Sequence, residues 1–205
     1  MIFNKSIRVC LFVLSLAIFL WVSPVYGQGE TCNIIFPVNH LKPKASETTL
    51  KVGSQAPDFV LPSVAGDQVT LSHYLGKQNV VISFVPAAWT PVCSYQWPVY
   101  DKASDIFHDN NAILLGITVD NIPSLYAWTK EITINKEGMW FPVLSDFFPH
   151  GQVAKKYGVL RPEGFTERAL FVIDKKGIIQ FIDIHDINGR PPLSELRETL
   201  EGIER

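Results

Sequence analysis

One junction constrains this chain more than any other stretch. The run Val80, Val81, Ile82, Ser83, Phe84, Val85 is apolar but for one serine and reads as a buried strand. It enters a loop at residues 86–93 and then a segment with helical spacing. Thr90 suits the N-cap of that helix, and Pro91 the first helical position, where a missing N–H costs least. Cys93 then falls in the first helical turn, where backbone N–H groups lack intrahelical partners and the positive end of the helix dipole is nearest. Such a position favours the thiolate, the reactive form of cysteine.

The rest of the chain alternates in kind around this junction. A short strand is expected at 68–71 after a turn at Gly66 and Asp67, and a second buried strand at 112–119. The Cys93 helix is expected to run to Asn110, with Val99, Tyr100, Ala103, Ile106 and Phe107 on one face and a kink at Pro98. Further helices are read at 123–131, at 151–157 before Gly158, and at 194–203 with Ser194 as N-cap. A short strand is read at 141–144, and strands at 168–173 and 178–184 flank a hairpin turn at Lys175, Lys176 and Gly177. Strands alternating with helices and closing in a hairpin predict an α/β fold, a central mixed sheet flanked by helices.

Composition supports a single domain with appendages: 205 residues, 47% hydrophobic and 19% charged. A net charge of -2 without a basic cluster argues against nucleic acid as a partner. The first 27 residues stand apart. Lys5 and Arg8 precede an apolar run at 9–22, followed by Pro24 and the small residue Gly27. That pattern predicts a cleaved secretory signal peptide, because the run is shorter than the roughly 20 residues that span a bilayer. The expected organisation is a signal peptide at 1–27, an N-terminal arm or linker at 28–49 and a domain at 50–205, exported to a periplasmic or extracellular location. Cys10 would leave with the signal, so the mature chain would keep Cys32 and Cys93.

A reactive thiol gains from a second source of positive potential, and an arginine supplies a permanent charge on a planar donor fork. Arg168 and Arg161 are the candidates. If strands 79–85 and 168–173 are antiparallel neighbours, Arg168 lies beside the Cys93 loop. A dithiol oxidoreductase would carry Trp-Cys-x-x-Cys here, but Thr90 occupies the first cysteine's place in Trp89, Thr90, Pro91, Val92, Cys93. The hydroxyl can donate to an incoming oxygen while accepting from a neighbour. The histidines show no metal-ligand spacing, so no metal site is expected.

The pattern Pro86-x-x-x-Thr90-x-x-Cys93 resembles the active-site motif of the peroxiredoxins, the AhpC/TSA family of the thioredoxin-like superfamily. The likeness extends over residues 50–203, through 116–120, 141–146, 157–159 and 168–174, and residues 147–151 are similar to the one-cysteine AhpE-like branch. The resemblance implies a thioredoxin-like fold and a thiol-dependent peroxidase. Cys93 would attack hydrogen peroxide or an organic hydroperoxide and become a sulfenic acid, Thr90 and Arg168 would polarise the O–O bond, and Pro86 would shield the sulfur. It implies no cofactor, an external thiol reductant such as a thioredoxin-like protein or a small thiol, and a homodimer. Many relatives carry glutamate three residues after the cysteine, where this chain has Gln96.

Other readings stay open at this level. Cys32 could resolve Cys93 through a disulfide, pair elsewhere or stay idle. A thiol–disulfide oxidoreductase using Cys32 and Cys93, or a redox-sensing module without turnover, would use the same junction. Arg161 reads as a surface or rim residue, and Trp89 and Trp97 as packing residues.

Overall fold

The computed structural model describes residues 41–133 and 138–203. The expected signal peptide, Cys32 and most of the arm lie outside the described residues.

Among the described residues, five strands form one mixed sheet in the order β5-β4-β3-β6-β7. They are β3 (Asn79–Phe84), β4 (Ala112–Thr118), β5 (Val143–Ser145), β6 (Arg168–Ile173) and β7 (Ile179–His185). β3 pairs parallel to β4 and antiparallel to β6, β4 pairs parallel to β5, and β6 and β7 form the antiparallel hairpin around residues 175–177. A separate two-stranded ribbon joins β1 (Val60–Pro62) to β2 (Gln68–Thr70). This is the α/β arrangement with a central mixed sheet expected from the alternation of elements, and it agrees with the thioredoxin-like fold that the resemblance implies.

Each central strand is covered on both faces, and the two-residue period decides what faces where. Val80, Ile82 and Phe84 of β3, with Ala169, Phe171 and Ile173 of β6, belong to one core. That core also takes Leu61 and Val69 from the ribbon, and Val153, Ala154 and Tyr157 from α4 (Gln152–Lys156) and its end. Val81 of β3 with Leu170 and Val172 of β6 belong to the other core. Against this face pack α1 (Pro91–Lys102), α2 (Ser104–Asp109), α3 (Ile122–Ile132) and α5 (Leu193–Gly202), through Trp97, Phe107, Trp128 and Leu200 among others. The same parity sends Arg168 to the face that carries α1. Gly116 of β4 lies under Trp97, whose ring would stand 2.7 Å from an added Cβ, so the close approach of helix and strand requires glycine.

Two helix readings change. The segment expected as one helix to Asn110 is two: α1 continues through Pro98 to Lys102, and the break comes at Ala103, which leaves helical geometry at φ −98° and ψ 31°. The last helix starts at Leu193 with Pro192 as N-cap, two residues before the expected Ser194 cap.

The arm is fastened from residue 42 onward. Ala45 N and Ser46 N donate to Glu167 Oε1 at 2.6 and 2.7 Å, and Ile187 N donates to the Pro43 carbonyl at 3.0 Å. Arg161, expected at the rim, is buried. It pairs with Glu167 at 2.8 Å and Glu163 at 3.2 Å and donates to the Lys42 carbonyl at 3.0 Å. A guanidinium removed from water needs such compensation, which Arg161 finds in two carboxylates and a carbonyl.

Candidate active site

The carboxyl ends of β3, β4 and β5 lie side by side, the place where open α/β sheets assemble their sites. The loop leaving β3 is held on both flanks. Thr166 Oγ1 donates to the Val85 carbonyl at 2.7 Å, and Ala88 N donates to Asp120 Oδ2 at 2.8 Å. Trp89 then takes a left-handed backbone conformation, φ 66°, with its side chain half exposed. That is unusual for a residue with a bulky side chain and turns the chain into α1.

Thr90 is the N-cap residue and Pro91 opens the helix, as the sequence predicts. The Thr90 hydroxyl makes no capping bond. It donates to the Ala87 carbonyl at 3.0 Å, inside the loop. Its one proton is thereby used, and the lone pairs left on Oγ1 make it an acceptor for an O–H group rather than the donor expected from sequence.

Cys93 is fully buried and free. Arg168 Nη2 lies 3.4 Å from its sulfur. The antiparallel register, Phe84 opposite Ala169, brings this about, because it places the first residue of β6 beside the loop that follows β3. Three further bonds fix the guanidinium: Nη1 to Gln96 Oε1 at 2.5 Å, and Nε and Nη2 to the Ile187 carbonyl at 3.3 and 3.1 Å. Gln96 thus keeps a hydrogen bond to Arg168 without an ion pair. Its amide nitrogen faces Ser83 Oγ at 3.2 Å and Tyr100 Oη at 3.4 Å, and Trp97 Nε1 also donates to Ser83 Oγ at 3.2 Å. The amide is therefore fixed in one orientation, oxygen toward Arg168.

Burial pushes the Tyr100 phenol well above the ordinary tyrosine range, although the Gln96 hydrogen bond and the Arg168 charge pull it down. It stays a neutral hydroxyl beside the site. A groove of about 330 Å³ lies along α1, lined by Gln96, Val99, Tyr100, Arg190 and Leu193 among others. Arg190 was not legible as part of this neighbourhood, because a cation between Gly189 and two prolines carries no spacing signal.

The four residues singled out from the motif and strand pairing occupy one end of the sheet. Cys93 and Arg168 contact each other directly, Thr90 is the N-cap residue of the helix that carries Cys93 and bonds within the loop before it, and Pro86 is buried in the loop between Val85 and Ala88. Cys32 lies outside the described residues. The AhpC/TSA family model matches residues 52–182, a span that contains Pro86, Thr90, Cys93, Gln96 and Arg168. The chain belongs to the AhpC/TSA family.

Curated relatives agree with this peroxiredoxin membership. Alkyl hydroperoxide reductase E of Mycobacterium tuberculosis is 36% identical over 136 residues, covering 66% of this chain and 86% of that protein. The chloroplastic 2-Cys peroxiredoxin BAS1 of Hordeum vulgare is 33% identical over 161 residues, covering 75% of each chain. Among solved structures, the reduced 2-Cys peroxiredoxin of Plasmodium vivax superposes with a TM-score of 0.67 at 30% identity, over 74% of this chain and 81% of that one.

Proposed function

We propose that this peroxiredoxin is a thiol-dependent peroxidase that reduces hydrogen peroxide and organic hydroperoxides through Cys93. The observation that carries the reading is the buried guanidinium of Arg168 at 3.4 Å from Cys93 Sγ, held there by neutral partners. Positive charge and the N-terminus of α1, whose first backbone N–H groups lack intrahelical partners, converge on one sulfur.

The chemistry balances with no cofactor. The thiolate attacks the terminal oxygen of ROOH, the S–O bond forms and the O–O bond breaks. The electron pair leaves on RO⁻, which takes a proton to give water or an alcohol, and Cys93 becomes a sulfenic acid. Thr90 Oγ1 accepts the peroxide O–H, and Arg168 stabilises the charge that develops on the oxygens. The buried Pro86 excludes water from the sulfur. Two reducing equivalents from an outside thiol then return Cys93 to the thiol and release water.

The finer parts of this reading concern the reductant, the assembly and the location. A thioredoxin-like protein or a small thiol closes the cycle, two copies form a homodimer, and the leader at 1–27 directs export to the periplasm or the exterior. Steady-state assays test the cycle. Peroxide is supplied with a thioredoxin system or a small thiol in excess, using wild type, Cys93→Ser and Cys32→Ser. Sustained turnover by wild type and by Cys32→Ser, and none by Cys93→Ser, is the expected result. A single stoichiometric oxidation without turnover under every donor would overturn the enzyme in favour of a sensor.

A further inference from the structure

We infer that Asp120 is a positioning residue for peroxide reduction, acting through the Ala87–Ala88 peptide on Thr90; the inference rests on the peroxidase reading above. Asp120 stands just beyond the end of β4, whose parallel partner β3 ends beside it. Its carboxylate oxygen Oδ2 accepts two hydrogen bonds, from Ala88 N at 2.8 Å and from Thr118 Oγ1 at 2.7 Å. Its own backbone is fixed as well, because Ser145 Oγ donates to the Asp120 carbonyl at 2.6 Å and Asp120 N donates to Thr118 Oγ1 at 3.3 Å.

The consequence lies one peptide away. Ala87 C=O and Ala88 N–H belong to the same rigid peptide plane, so the bond that fixes the N–H also fixes the direction of the carbonyl. That carbonyl receives the Thr90 hydroxyl proton at 3.0 Å and so decides where the free lone pairs of Oγ1 point. A carboxylate just beyond β4 thus sets the acceptor direction of a hydroxyl at the start of α1. Thr90 touches the peroxide; Asp120 orients Thr90. The route does not pass through Arg168, whose partners are Gln96, Ile187 and Cys93.

Separate routes give separable readouts. Alkylation of Cys93 by iodoacetamide needs the thiolate but no oriented acceptor, whereas peroxide reduction needs both. Asp120→Ala should slow the second-order reaction with hydrogen peroxide by about 10-fold to 100-fold, the scale of a misplacement of about 1 Å. It should leave the alkylation rate within about twofold of wild type, since Arg168 and the start of α1 beside the sulfur are untouched. Asp120→Asn keeps an oxygen acceptor for Ala88 N–H and should recover most of the peroxide rate. Added to Thr90→Val, which has already removed the hydroxyl, Asp120→Ala should cost no further factor, the coupling expected of two residues acting as a unit.

A peroxide rate unchanged in Asp120→Ala, an equal loss in alkylation, or losses that multiply with Thr90→Val would each overturn the inference. Should Asp120→Ala fail to fold, Asp120→Glu, which keeps the charge and moves it by one methylene, should show the same selective loss, and its absence would be equally decisive. Wild type that consumes no peroxide would instead remove the peroxidase reading itself.

Discussion

Arg168 Nη2 lies 3.4 Å from Cys93 Sγ, and among the described residues the guanidinium has no carboxylate partner. Its other contacts are an amide oxygen and a backbone carbonyl. A buried charge without a counter-ion is expensive, and these hydrogen bonds, with the contact to the sulfur, offset that cost. Gln96 matters for this reason: as a neutral acceptor it holds the arginine without competing for its charge.

Replacement of Arg168 by lysine should therefore be severe. A lysine ammonium is a point charge and cannot span Gln96, the Ile187 carbonyl and the sulfur at once. The rate of peroxide consumption by reduced Arg168→Lys should fall by about 10² or more, the scale of losing one preorganised donor. Stopped-flow measurement of peroxide loss checks it, and a rate close to wild type would show that any cation suffices.

Thr90 tests the hydroxyl apart from the helix. Because its side chain makes no capping bond, Thr90→Val should cost only the hydrogen bond to the Ala87 carbonyl, about 1 kcal/mol, and a larger loss would mark a structural role. The peroxide rate should drop by about 10²-fold with the acceptor gone. Thr90→Ser should stay within a few-fold of wild type.

These two residues illustrate what was legible in the sequence. The strand-to-helix junction gave Cys93 its place, and the antiparallel pairing of β3 with β6 brought Arg168 to it as expected. Both depend on local period and strand order. The use of the Thr90 hydroxyl was not legible, because its partner is the Ala87 carbonyl and depends on the unusual backbone at Trp89. The sequence predicts one helix to Asn110 with a kink at Pro98, the visible punctuation, whereas the helix breaks at Ala103, a good helix former that carries no signal. Arg161 reads as peripheral because arginines are mostly exposed, and no local pattern marks it as buried. Its burial comes from the arm at Lys42, 119 residues away.

Glu167 should prove structural where its neighbour Arg168 is chemical. Glu167 immediately precedes β6, and it holds Arg161 and the amides of Ala45 and Ser46 while Arg168 contacts the Cys93 sulfur. Glu167→Ala leaves a buried guanidinium short of its main partner and should destabilise the fold by about 3–5 kcal/mol. Amide exchange at Ala45 and Ser46 should accelerate together with the fall in denaturant midpoint. Unchanged protection at those amides would contradict the assignment.

Alkaline pH should destabilise the protein through two buried phenols. Burial raises both Tyr100 and Tyr157 above the usual tyrosine range. The folded state then binds these protons more tightly than the unfolded chain, so their contribution is whole below about pH 10 and is lost as pH rises beyond it. Urea midpoints measured upward from pH 9 should fall steeply above about pH 10 in wild type and less steeply in Tyr157→Phe. The Phe variant should also lose about 1 kcal/mol at neutral pH with the hydrogen bond to the Pro57 carbonyl. Parallel curves would show that Tyr157 takes no part.

The most direct test is a single turnover. Fully reduced protein is mixed with one equivalent of hydrogen peroxide, and peroxide loss is followed while a dimedone-type reagent traps sulfenic acid for mass analysis. The account predicts rapid loss of one equivalent and one adduct, located on Cys93, with neither seen in Cys93→Ser. Slow peroxide loss at the rate of an ordinary thiol, or an adduct elsewhere than Cys93, would contradict it.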